Sequence, residues 1–464
     1  MAHLRKHLDS ATMRPRAFDS SQISFWLTLF FLTLCVAIYA GHFWVIYQNA
    51  VNVPYWDEWG LFDPRALPAG LSFRWILLQA NEHRIALTKL LMAGLFYLNG
   101  LNQILSIAIT YVLYGVLLSC VVMFAQRMVP HLPKWTTLAF VIFLLTPANW
   151  ENHFWGFQSA YHFAVLFSLL TAFFLFDESQ SVARLALGVS TAVLATYSFF
   201  SGLVAVCILI VFFAVFKTLH AGRVSGEERK RKYLQLVAVA TPVIAFVAMY
   251  FIDYHRNLAA PPRALPYTES FWRFFTNIVS WGFGFETDSV VLGIICLLLV
   301  LSPIVLEVWK NGWRLPASSW AVFAYTLAML AVLAAISVGR GYGGARAKIS
   351  RYNEFSMMLV PFTLFAWAIF LKDRTKLRTY MLASLWIFCF LGYSYKWLWF
   401  PVYHQQAEIR RQGVRCIENY YAHGGEALCP TIHPVSIKPM LDEGKRLNLS
   451  FYREVQADSQ AGTP

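Results

Sequence analysis

The chain has 464 residues, of which 58% are hydrophobic and only 14% are Asp, Glu, Lys or Arg, against roughly 25% charged residues in an ordinary soluble domain. That balance excludes a single globular core and points to a polytopic membrane protein. The net charge of +13 does not signal nucleic acid, because the basic residues cluster in short segments between apolar runs, as they do where cytoplasmic loops face anionic lipid.

Residues 1–23 form a polar tail carrying Arg5, Lys6, Arg14 and Arg16. The apolar run at about 24–47 is too long for a signal-peptide core and reads as a retained span with the N-terminus inside. Just beyond it lies Val53-Pro54-Tyr55-Trp56-Asp57-Glu58-Trp59-Gly60, an acidic pair held at the water interface by rings that prefer that depth. The segment Phe73 to Leu98 keeps Asn81, Glu82, His83, Arg84 and Lys89 among its leucines, so it is expected as helices lying along the outer interface.

Further spans are expected near 103–125, 135–148, 156–176, 183–199, 202–217, 233–252, 289–309, 319–338, 355–371 and 379–400, about eleven in all with the first. The apolar run 183–217 must be two of them, broken at Ser198-Phe199-Phe200-Ser201-Gly202, because one helix of that length would far exceed the hydrocarbon thickness. Basic residues at Arg127 and Lys134, from Lys217 to Lys232, at Lys310 and Arg314, and from Lys372 to Arg378 place those loops inside. An odd count puts the polar tail 401–464 outside. The expected organisation is one all-α membrane domain, 24–400, and one small outer tail.

With that topology the unusual polar residues collect on the outer side: Asp57, Glu58, Asn81 to Arg84, Glu151-Asn152-His153, Gln158, Glu286, Asp288 and the loop Gly339 to Glu354. An Asp-Glu pair opening the first outer loop, then interfacial helices, then a multi-span bundle, resembles the GT-C glycosyltransferase superfamily, particularly its protein O-mannosyltransferases and lipid A aminoarabinose transferases. Thr146 to Gln158 sits where that superfamily carries polar or acidic residues at the outer end of the third span, and Ser198 to Gly202 sits at its break between two later spans. The resemblance implies a GT-C-like fold, a sugar donor linked to polyprenyl phosphate, and Asp57 as the catalytic carboxylate with Glu58 second.

The chemistry asks for the same groups. Sugar transfer needs a base for the acceptor proton while an oxocarbenium-like centre develops and a phosphate leaves. Asp57 is the candidate base, and Glu58 is read as either orienting the acceptor or holding a divalent cation, with no other cofactor called for. A leaving phosphate needs cations, and Arg340, Arg346, Lys348 and Arg351 supply four in a glycine-rich outer loop, against the positive-inside trend. Arg84 is a weaker candidate for that role. Glu151, Asn152, His153 and Gln158 are candidates to place the acceptor or sugar hydroxyls. The aromatic run Phe154, Trp155, Phe157 and Tyr161 reads as helix packing. No zinc site is expected, since His83, His153 and Glu82 lack zinc-ligand spacing.

Seven cysteines are present. Cys35, Cys120, Cys207, Cys296 and Cys389 sit singly in apolar runs as small buried hydrophobes, whereas Cys416 and Cys429 share the polar outer tail and are expected to pair. The leading expectation is an inverting transferase at the outer face of a cytoplasmic membrane, taking a polyprenyl-phosphate sugar to a glycan, lipid or protein acceptor. The alternatives are a transporter or flippase, or a polymerase or ligase, of lipid-linked glycans. A transporter should show ionisable or unwound positions near mid-membrane and often two similar halves, and neither stands out here.

Overall fold

In the computed structural model, which describes residues 20–255, 262–343 and 350–461, the regular structure is helical, and no strand occurs among the described residues. Among the described residues, eight helices are long and apolar enough to cross a membrane: Ser21–Asn49, Gln103–Met128, Gly156–Leu175, Phe200–Ala221, Gly226–Tyr250, Val290–Asn311, Ala317–Arg340 and Ser350–Phe370. Helices close their backbone hydrogen bonds internally, which a bilayer interior demands. The chain is therefore a multi-pass α-helical membrane protein. The first helix leans on the bundle by one side and leaves Phe25, Trp26, Phe30, Val36 and Trp44 exposed, a surface suited to lipid and not to water.

Three stretches expected as spans are helices that fall outside that set of eight. Lys134–Leu144 stops after 11 residues ahead of Pro147, and Val182–Thr196 has 15 residues. Thr375–Tyr393 ends in a tight 3₁₀ turn, Ser394–Trp399. The segment after the acidic pair becomes two short helices, Phe73–Leu77 and Ala86–Asn99, the second closed by Gly100 in a left-handed conformation.

The break in the 183–217 run is present. Ser198 Oγ donates to Leu194 O, and the chain re-enters the bundle at Phe200 so tightly that a β-carbon on Gly202 would lie 2.1 Å from Ala195 O. The basic loops gather at one end of the bundle, where Arg127 meets Asp177 at 3.3 Å, Lys310 meets Asp373 at 3.8 Å and Arg223 donates to Trp313 O.

At the opposite end the tail folds onto the bundle. Helix Pro401–His423 buries Tyr403, Ala407, Arg410, Ile417 and Tyr420, and Cys416 is joined to Cys429 in the expected disulfide, with 5.8 Å between their α-carbons. Tail residues Ile417, Ile432, Leu441 and Phe451 share an apolar cluster with Val53, Trp59 and Phe62. The rings of Trp59 and Phe62 stand edge-on to Phe451 at 5.4 and 5.5 Å, an arrangement that adds to plain area burial. The tail thus forms one packed unit with the stretch that carries the acidic pair.

Candidate functional site

The acidic stretch is aimed by its backbone. Trp56 has a φ of 47°, unusual for a bulky residue and worth about 1–3 kcal/mol of strain. Its N–H donates to Ile432 O of the tail at 2.8 Å. From that bend a 3₁₀ turn, Trp56–Phe62, sends its two carboxylates in different directions.

Asp57 lines a cavity of about 510 Å³, together with Glu82, His83, Glu151, Gln158, Arg340 and Arg351. Glu58 turns inward and is only 2% exposed. Its Oε2 accepts from Tyr55 N–H at 2.9 Å and its Oε1 from Phe157 N–H at 3.1 Å, so it ties the acidic stretch to the turn at 156–158. Burial pushes its pKa up to about 7, against the pull of Arg410 and the two amides. Burial likewise brings Arg410 down to about 10, opposed by Glu58 and Tyr55. The Arg410 guanidinium lies 4.3 Å from the Phe154 ring centre and 4.8 Å from that of Tyr55, cation–π contacts that hold it beneath the acidic turn.

Glu151 faces the same cavity and organises the opposite wall, its Oε2 accepting from Ser350 Oγ at 2.9 Å and Arg351 N–H at 3.0 Å. Arg351 and Arg340 both approach the ring of Tyr352, at 5.6 and 6.0 Å, and Arg340 Nε donates to the Tyr352 hydroxyl at 2.8 Å. Neither guanidinium forms an ion pair among the described residues, and Arg351 Nε has no hydrogen-bond partner. Two cations without ion-pair partners in one cavity wall, Arg340 exposed and Arg351 half-buried, are a receptor for an anion.

The other expected site residues divide. Gln158 lines the cavity. Asn152 lies beneath the wall, donating to Glu354 Oε2 and Arg351 O, while Glu354 Oε1 meets His162 Nδ1 at 2.5 Å. His153 is fully buried among His42, Tyr114 and Tyr403. Arg84 is committed to structure: its guanidinium donates to the carbonyls of Leu77, Tyr250 and Ile252, which fixes the 79–85 turn to a helix end far away in sequence. Arg346 and Lys348 lie outside the described residues. The aromatic run expected as packing contributes Trp155, Phe157 and Tyr161 to the cavity lining, and only Phe154 is wholly interior.

A second cavity, of about 370 Å³, shares Glu82, His83, Phe199, Arg340 and Tyr352 with the first. Beyond that neck its walls are largely apolar, with Phe200 and Val204 at the start of one long helix facing Ala335, Ile336 and Val338 at the end of another. The sequence marks His83 as an outer polar residue and a rejected zinc ligand but gives no sign of the neck, because nothing local marks a turn whose partners lie at residues 199 and 340. No group of three or more His, Cys, Asp or Glu side chains suited to a metal ion occurs among the described residues. No family model, no curated protein and no solved structure matches the chain.

Proposed function

We propose that this protein is a membrane glycosyltransferase of GT-C type, moving a sugar from a polyprenyl-phosphate donor to an acceptor hydroxyl at the outer face of a cytoplasmic membrane. The observation that carries this reading is the junction of two cavities at Arg340: a polar one holding Asp57, Glu151 and Arg351, and a largely apolar one running between two long helices. A donor with a sugar, an anionic phosphate and a hydrocarbon chain matches that sequence of environments. Asp57 takes the acceptor proton, the acceptor oxygen attacks the anomeric carbon, and the carbon–oxygen bond to phosphate breaks with its electron pair left on the phosphate. Arg340 and Arg351 receive that charge, held in place before it develops. Glu151 and Gln158 meet sugar or acceptor hydroxyls.

In this reading Lys134–Leu144, Val182–Thr196 and Thr375–Tyr393 complete the membrane region towards about eleven crossings, with the N-terminus inside and the tail outside. The charge asymmetry of the two bundle ends supports that orientation. A transporter of lipid-linked glycans is less well supported: the buried His162–Glu354 pair falls within the first turns of its helices, beside the cavity end, and not at mid-span. The test is a donor panel offered to purified protein in liposomes. Turnover of a polyprenyl-phosphate sugar and not of nucleotide sugars supports the transferase. Vectorial movement of lipid-linked glycan without bond breakage overturns it.

A further inference from the structure

The turn at 80–83 is built with more care than a surface loop needs. Ala80 and His83 exchange backbone hydrogen bonds of 2.7 and 2.9 Å around Asn81, whose φ is 50°. Gln79 bonds to Asn81 O and to both His255 O and His255 N–H, the Tyr254 hydroxyl donates to Glu82 O, and the Arg84 guanidinium clamps the exit. All of this holds one imidazole at the neck between the two cavities, its ring centre 3.9 Å from that of Phe199. His83 lines both cavities, and its buried Nδ1 finds no hydrogen-bond partner among the described residues; with Nδ1 enclosed, we take Nε2 as the nitrogen that serves the cavity.

Burial, with Arg340 and Arg351 adding to it, brings the pKa of His83 down to about 3, so the ring is neutral at physiological pH. A neutral imidazole beside two unpaired guanidiniums adds no further repulsion to the empty site, yet it keeps one N–H to give. An anion arriving between the arginines supplies the acceptor that this N–H lacks.

We propose that His83 is a third ligand of the donor phosphate, giving a hydrogen bond from Nε2 to a phosphate oxygen at the neck, where the polar headgroup ends and the hydrocarbon chain begins. This rests on the reading of the site as a lipid-phosphate site. A hydrogen bond to a charged phosphate contributes enough that its loss weakens binding about tenfold to a hundredfold.

The experiment measures binding of polyprenyl phosphate, neutral polyprenol and inorganic phosphate to the full-length protein in nanodiscs of neutral lipid. Wild type is expected to bind polyprenyl phosphate at least about tenfold more tightly than either of the others. His83→Ala should lose about tenfold or more for polyprenyl phosphate and be unchanged for polyprenol. His83→Gln, which retains an N–H donor, should recover part of the loss. His83→Phe, which keeps the ring against Phe199 but has no donor, should behave like His83→Ala. Binding of polyprenyl phosphate by His83→Phe within about twofold of wild type, while Arg340→Ala fails to bind, overturns the His83 assignment and leaves the site intact. Equal wild-type affinity for polyprenyl phosphate and polyprenol overturns the lipid-phosphate reading itself. Affinity for inorganic phosphate equal to that for the lipid assigns the neck to free phosphate and overturns the proposal.

Discussion

Replacing Glu58 tests whether the acidic stretch is held in place from behind. Its carboxylate accepts two backbone N–H bonds, from Tyr55 and Phe157. Removing it in Glu58→Ala orphans two donors in a buried site, at about 1–3 kcal/mol each. Glu58→Gln keeps one acceptor oxygen and turns an amide N–H₂ towards the other donor, so it should cost about half as much. The pH dependence separates this from a generic loss of packing. The folded-state pKa is raised from 4.5 to about 7, chiefly by burial. Between those values the folded protein binds more protons than the unfolded one, so stability falls as pH rises through that window and is level above it. A shift of this size corresponds to roughly 3 kcal/mol. The assay is thermal unfolding of wild type and Glu58→Gln in the same detergent from pH 4 to 8.5. The difference between the two curves should change across pH 4.5–7 and be flat above. Parallel curves over the whole range would show that Glu58 does not titrate where its burial requires, and would refute the clasp.

Opening the Cys416–Cys429 bridge, which spans 13 residues, should destabilise the tail by about 3 kcal/mol in the chain-entropy model. Because Ile432 O holds Trp56, transfer should fall with it; an unchanged Tm with reductant, in protein shown to be oxidised beforehand, contradicts this. Arg351→Ala and Arg340→Ala should each raise the donor KM or lower kcat/KM by about tenfold to a hundredfold, with Lys rescuing only in part because an ammonium cannot reproduce a forked contact. Donor kinetics unchanged in both Ala variants would remove the arginines from the phosphate site. Gly202→Ala should lower the Tm measurably, since its β-carbon would meet Ala195 O at 2.1 Å and backbone cannot yield as a side-chain tip does; the expected cost is about 1–3 kcal/mol, and a wild-type Tm would contradict it.

What sequence reading recovers is whatever hydropathy, charge sign and short spacing encode. The acid pair between tryptophans, the outlying arginines, the break at Ser198 to Gly202 and the cysteine pair are local signals, and Asp57, Glu151, Gln158, Arg340 and Arg351 do meet around one cavity. Direction of a side chain is not local. Asp57 and Glu58 are neighbours in sequence, and only the left-handed bend at Trp56, held by a carbonyl at residue 432, decides that one faces the cavity and the other the interior. Arg84 carries charge where a phosphate ligand is wanted, yet its partners are the carbonyls of Leu77, Tyr250 and Ile252, the last two at and just past the end of a distant helix. Arg410 is one of several arginines on a polar helix, and its place under Glu58 follows from a tail fold fixed by an apolar cluster with residues 53–101, more than 300 positions earlier in the chain.

The central claim is chemistry at Asp57, and transfer of labelled sugar from its polyprenyl phosphate measures it directly. Asp57→Asn keeps the shape of the side chain and cannot accept a proton, so it should still bind the lipid donor while losing transfer by about a hundredfold to ten-thousandfold. Correctly inserted Asp57→Asn protein that transfers sugar at the wild-type rate would contradict the account.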